Sequence, residues 1–188
     1  SSQMSVYFKF SPLGKEFILI SKRFKSDAFN IFPATTFKKK VISNIFKLLL
    51  LFNIPSPWIT KGNNFELIDG FNVDDLLNEI SENSALSLDI ILVMWNREYA
   101  RKRVYIWLID PGTKKRFFVK VAAGKLNQYK LENESSILSH LESSETAFSY
   151  PKNIFYKTKG NISVLMTEAI PLLELNFKPI EIDFLETK

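Results

Sequence analysis

The spacing of apolar positions changes period several times along this chain, and each change marks an element. Leu88 to Trp95 reads as a strand. In Val104 to Asp110, Val104, Ile106 and Leu108 alternate with Tyr105, Trp107 and Ile109, and Arg116 to Ala122 forms a third strand. Asp110-Pro111-Gly112-Thr113 between the last two has proline and glycine at favourable turn positions. After Ala122-Ala123-Gly124 the period becomes helical: Leu131, Glu134, Ile137, Leu138 and Leu141 fall on related turns as far as about Glu142. Asn153 to Thr158 and Asn161 to Thr167 then read as a hairpin around Lys159-Gly160-Asn161, and Pro171, which cannot donate to a ladder, closes it. The predicted order is three strands, one helix and two strands.

The upstream part is less sharply patterned. Val6 to Phe10 and Glu16 to Ile20 read as strands, ended by the Pro33 to Phe37 stretch. From Lys38 to Phe52 the residues Val41, Ile42, Ile45, Phe46, Leu48, Leu49 and Phe52 recur at helical spacing, with Lys38, Lys39, Lys40 and Lys47 largely to the other side. The spacing predicts an amphipathic helix over 38–52 with a basic leading end. Its apolar stripe either packs on the protein, the usual role of such a stripe, or seeks an anionic lipid surface. Asn53-Ile54-Pro55-Ser56-Pro57 breaks this helix, and 55–71 reads as a connector with some strand content. Asn72 is placed to cap a short helix from Val73 to about Glu82, whose first turn holds Asp74 and Asp75, where acids suit the helix dipole.

Composition narrows the class. A chain of 188 residues with 46% hydrophobic and 24% charged residues can bury one sizeable core or two small ones, which predicts a folded, soluble protein. Without cysteine there is no disulfide framework or thiolate metal site, and the single His140, expected on the surface, cannot build a histidine cluster or an ordinary triad. Asp74/Asp75 and Glu132/Glu134 are better explained as helix charges than as the paired carboxylates of a hydrolase. The net charge of +5 is uneven: residues 1–52 carry nine Lys and Arg against two acids, a net +7, while the remainder is slightly acidic. Such a patch attracts anionic partners without defining a function. The apolar run Leu48 to Phe52 is far shorter than the roughly 20 residues needed to span a bilayer. The expected location is cytoplasmic, with peripheral membrane contact through helix 38–52 as its finer form, and Ser1 to Ser5 reads as a tag remnant before a natural start at Met4.

The chemistry centres on Lys120. In a strand it shares a face with Phe118 and Ala122, while Phe117, Val119 and Val121 take the other. An ammonium among apolar neighbours needs a partner because desolvation is costly, and Glu134 on the following helix is the natural one. The plainer alternative is a lysine that snorkels from an ordinary strand, with Glu134 one of several exposed helix acids.

Lys120 in Arg116-Phe117-Phe118-Val119-Lys120-Val121-Ala122, Glu134 in Leu131-Glu132-Asn133-Glu134, and Ser163-Val164-Leu165-Met166-Thr167-Glu168-Ala169-Ile170-Pro171 together resemble the small lobe of kinase-like folds. The likeness is strongest to the bacterial aminoglycoside phosphotransferase-like and choline kinase-like group, and it covers roughly residues 87–172. The resemblance implies that Lys120 holds the α and β phosphates of ATP and that Glu134 orients it. It also implies a gatekeeper-like Thr167 at the back of the pocket, and backbone groups of Glu168, Ala169 and Ile170 meeting adenine. Three departures stand beside it: the turn between Trp95 and Val104 has no glycine, with Arg97, Arg101, Lys102 and Arg103 either contacting phosphate or forming a solvated basic hairpin; Phe118 stands where protein kinases usually have alanine; and no His-x-Asp catalytic loop follows Ile170.

These readings predict an α+β fold: a five-stranded, mainly antiparallel sheet with one helix over 83–172, preceded by a strand-plus-helix extension over 4–82 and followed by a linker, 173–188, toward a C-terminal lobe. The expected function is the ATP-binding small lobe of a bacterial phosphotransferase acting on a small-molecule or glycan hydroxyl, with ATP and Mg²⁺ engaged only in a longer protein and this chain catalytically silent. The alternative is a non-catalytic binding or scaffold module whose basic, aromatic N-terminal surface meets a protein, a membrane surface or nucleic acid, the last being the least expected of the three.

Overall fold

The computed structural model describes residues 5–11, 16–31, 37–68, 70–96, 103–144 and 149–169. Strands β1 (Tyr7–Phe10) and β2 (Glu16–Ser21) are followed by a 3₁₀ turn (Lys22–Phe24), α1 (Lys25–Ile31) and α2 (Phe37–Leu51). Short strands β3 (Thr60–Gly62), β4 (Glu66–Ile68) and β5 (Phe71–Asn72) precede α3 (Val73–Ser84). The order then runs β6 (Asp89–Asn96), β7 (Arg103–Ile109), β8 (Arg116–Ala123), α4 (Lys125–Glu142), β9 (Asn153–Lys159) and β10 (Ile162–Glu168).

The expected five-stranded sheet with one helix is corrected here. Among the described residues, eight strands form one antiparallel sheet in the order β3-β1-β2-β6-β7-β8-β10-β9, accompanied by four α-helices, with β4 and β5 as a separate two-stranded ribbon. The reason lies in β6. Its sequence Asp89-Ile90-Ile91-Leu92-Val93-Met94-Trp95 is apolar on both faces, and its four residues Ile90 to Val93 are fully or nearly fully buried. Such a strand is costly to leave at an edge with one row of backbone groups unbonded. β7 takes one edge and β2 the other, with Ile18 opposite Met94 and Ile20 opposite Leu92. Strands that precede residues 82 and 83, which lie in α3, thus share one sheet with the strands that follow them.

The sheet is covered on both faces, which four helices make possible where one could not. On one face α3 and the β4–β5 ribbon bury Val73, Leu76 and Ile80 against Val93, Ile106, Val119 and Val164. On the other, α1 and α2 bury Ala28, Ile31, Phe46 and Leu50 against Phe10, Ile18, Ile20 and Leu92, with the Phe10 and Phe46 rings stacked at 4.4 Å. A bulge between Ile90 and Leu92 brings Ile91 and Leu92 into this second cluster together. Further along the same face α4 packs Leu131 on Ala122 and Leu165. Arg23–Asp89 (2.7 Å) and Arg116–Asp27 (2.6 Å) tie the first fifth of the chain to the later strands.

Helix ends follow local chemistry. At the end of α2, Asn53 adopts φ 52°, its amide bonds to Leu50 and that of Ile54 to Leu49, the paired bonds of a Schellman cap. Lys25 adds its ammonium to the Leu50 carbonyl and to Asn53 Oδ1, a cation where the helix dipole is negative; burial and the neighbouring Lys22 lower its pKa. Asn72 does stand at the N-cap of α3 in extended conformation, but its side chain makes no capping bond. The predicted turn glycine, Gly160, takes φ 59° between β9 and β10.

Tyr7 lies 1% exposed in the core, and burial pushes its phenol up to about 12. Since the folded state holds the phenolic proton more tightly than the unfolded chain, the stabilisation is complete below pH 10 and is lost as pH rises toward 12. Denaturant titrations across this window should show wild type losing about 2 kcal/mol more stability than Tyr7→Phe. Equal losses would place the phenol in water.

Candidate functional site

The β7–β8 hairpin sets the site. Asp110 accepts the Gly112 amide at 2.9 Å and the Thr113 hydroxyl at 2.7 Å, bonds that hold its carboxyl below the usual carboxylate range. This turn fixes a register in which Ile109 faces Arg116, Trp107 faces Phe118 and Tyr105 faces Lys120. β10 on the other side of β8 brings Leu165 opposite Lys120 and Thr167 opposite Phe118. Tyr105, Trp107, Phe118, Lys120 and Thr167 therefore share one sheet face.

That face is divided between two covers. α1 and α2 close the end over β1, β2 and β6, with Met94 and Trp107 at their margin, while α4 closes the end over β8, β10 and β9. Between them lies a half-exposed strip of Tyr105, Phe118 and Lys120.

α4 delivers Glu134 to the edge of this strip. Leu131, Ser135 and Leu138 are buried against the sheet, and Glu134, next to Ser135 on the same side of the helix, reaches the Lys120 Nζ in an ion pair. The side chains are 27% and 37% exposed, so the pair is neither sealed in the core nor loose on the surface. The sequence pattern placed Ile137 on the packed face of this helix; it is instead 61% exposed, and Leu131 and Leu138 carry the packing.

Thr167 is buried, and its hydroxyl donates to the Phe118 carbonyl at 3.4 Å. The amides of Glu168 and Ala169 are already engaged within the fold, with the carbonyls of Lys152 and Arg116, each at 2.9 Å. The Glu168 carboxylate accepts from Lys115 at 3.3 Å. Those two amides are thus spent on the sheet. Ile170, Arg97, Arg101, Lys102 and the segment 173–188 lie outside the described residues. Of the basic turn residues, Arg103 alone falls among the described ones, and its Nε donates to Asn127 in the first turn of α4 at 3.3 Å.

Phe118 is half-buried among neighbouring rings. Its ring lies nearly parallel to Tyr105, 6.1 Å away at 5°, and packs against Trp107 at 4.7 Å, while the Lys120 ammonium stands 5.7 Å from its centroid. The result is an aromatic floor with one cation over its Phe118 ring. Tyr105 and Trp107 were missed as site residues in the sequence. Their signal was there: counting back from the Asp110–Thr113 turn through the hairpin register places Tyr105 beside Lys120.

His140 is exposed, as its position predicts, and among the described residues no group of three His, Cys, Asp or Glu side chains is placed to hold a metal ion.

A double-mutant cycle of Lys120→Met and Glu134→Gln should give a coupling energy of about 1 kcal/mol in denaturant unfolding, reduced in high salt. Zero coupling would mean that the two side chains do not meet in solution. Compared with protein-family models, with curated proteins and with solved structures, the chain matches none.

Proposed function

We propose that the strip between α2 and α4 is the phosphate and base seat of a kinase-like small lobe, and that the chain carries the ATP-binding part of a phosphotransferase whose acceptor is a hydroxyl of a small molecule or glycan. The observation that carries this reading is the Lys120–Glu134 ion pair, made between the third strand of the β6–β7–β8 run and the helix that follows it. In this reading Lys120 neutralises α and β phosphate oxygens, Glu134 keeps the ammonium extended toward them, and Phe118 with Tyr105 supports the base from below. ATP, when bound, supplies the phosphoryl group. The aspartates and asparagine that such transfer needs for proton acceptance and Mg²⁺ belong, in the resemblance, to a C-terminal lobe, so the described residues bind and orient without transferring.

The aromatic floor also favours a second reading. Tyr105, Trp107 and Phe118 already satisfy one another, and a lobe with a self-packed floor would serve as a non-catalytic scaffold.

Thermal denaturation with and without Mg·ATP separates the two. At about ten times Kd the melting temperature of the wild type should rise by about 3–6 °C, and Lys120→Ala should lose most of that rise while keeping its own unliganded melting transition. An unshifted wild type at millimolar nucleotide, or an equal rise in Lys120→Ala, would leave the scaffold reading in its place.

A further inference from the structure

Helix α2 has two apolar faces, and among the described residues one of them packs into the fold. Phe46 and Leu50 are buried against the sheet, with Ile42 and Leu49 partly so. On the opposite side Phe37, Val41, Ile45, Leu48 and Leu51 recur at i, i+4, i+8, i+11 and i+14, all exposed, with Phe37 83% exposed. Past the helix end Phe52 is 70% exposed, and Ile54 and Trp58 are exposed as well. This is a helical row of large apolar side chains, with the exposed Asn44 beside it and aromatic residues at its ends, unlike the scattered single apolar groups of an ordinary surface.

The charge around it selects the partner. Between Asp27 and Glu66 the chain has no acidic residue and five lysines, Lys38, Lys39, Lys40, Lys47 and Lys61. Lys40 and Lys47, seven residues apart, lie on one side of α2 along the margin of the exposed row. A second copy of this face would set these lysines against their own kind, and lysine is depleted from the cores of protein interfaces. Nucleic acid would leave the apolar row without a partner. A bilayer with anionic headgroups satisfies both parts at once: the apolar row enters the headgroup–acyl boundary, the lysines meet phosphate, and Phe and Trp sit at the depth where aromatic rings are favoured.

We infer that the outer face of α2, from Phe37 to Phe52 with Trp58, is a peripheral docking surface for anionic membranes. The helix itself is held by its inner face, so binding needs no refolding, and no helix among the described residues is long and apolar enough to cross a membrane. The row lies on the same side of the sheet as the Lys120 strip, because α2 and α4 cover the same face.

Vesicle flotation tests this without reference to nucleotide. The protein should float with phosphatidylcholine vesicles containing phosphatidylglycerol and stay behind with phosphatidylcholine alone, and retention should fall when salt is raised from about 0.1 M to about 1 M. Phe37→Ser/Leu48→Ser/Phe52→Ser and, separately, Lys40→Gln/Lys47→Gln should each lower partitioning about tenfold or more, with unchanged circular dichroism, since the substituted side chains are outside the core. Absence of flotation with the anionic vesicles overturns the inference, as does equal retention of both variants. Concentration-dependent dimerisation in lipid-free solution that the Ser variant abolishes would also overturn it, assigning the face to a second copy.

Discussion

The two-sided ladder of β6 is the constraint from which the rest of this fold follows. A strand that is apolar on both faces needs hydrogen-bonding neighbours on both edges and cover above and below, because its buried amides and carbonyls have no water to turn to. β2 and β7 supply the edges, with Leu19 opposite Val93 on one and Ile106 opposite Val93 on the other. Once β2 is drawn in, β1 and β3 follow by antiparallel pairing, and the helices between them are carried onto the sheet. A smaller sheet would have ended at β6 and exposed a long apolar edge, the usual route to edge-to-edge association.

The same constraint positions the candidate site. Because α1 and α2 are tethered near β6 and α4 is tethered between β8 and β9, the face they share is covered at its two ends and left half-open over β7 and β8. Lys120 occurs in that opening. Its ammonium is close enough to water to receive an anion and close enough to Glu134 to be held in one direction. A lysine two residues toward either end of β8 would have met a different environment: at position 118 the aromatic floor, at position 122 the buried contact with Leu131.

Much of the later half was legible because its elements are local. The β7–β8 and β9–β10 hairpins announce themselves through Asp110-Pro111-Gly112-Thr113 and Lys159-Gly160-Asn161, and α4 through its 3.6-residue period, so their bounds differ from the sequence reading by a residue or two. The Lys120 and Glu134 juxtaposition could be anticipated because it spans one strand, one turn and part of one helix. What escaped was non-local. The alternation in Glu16–Ser21 says which residues share a face, but nothing in it says that the partner strand is β6, more than 70 positions away. α1 is only seven residues long and β3 is Thr60-Lys61-Gly62, with no apolar period to read; both exist because neighbouring elements hold them. In α2 the apolar residues from Val41 to Phe52 spread over two faces, so their period could not tell the buried Phe46 from the exposed Leu48.

Native-state hydrogen exchange is the most direct test that β2 and β6 form one cooperative sheet with the strands bearing Lys120. Amides in Ile18–Ile20, Leu92–Val93 and Val119–Val121 should exchange through the same global opening, with protection free energies within about 1 kcal/mol of one another. If β1, β2 and the two helices after them exchanged through a separate opening of distinctly lower free energy while β6 to β10 stayed protected, the eight strands would be two units and the account would fail.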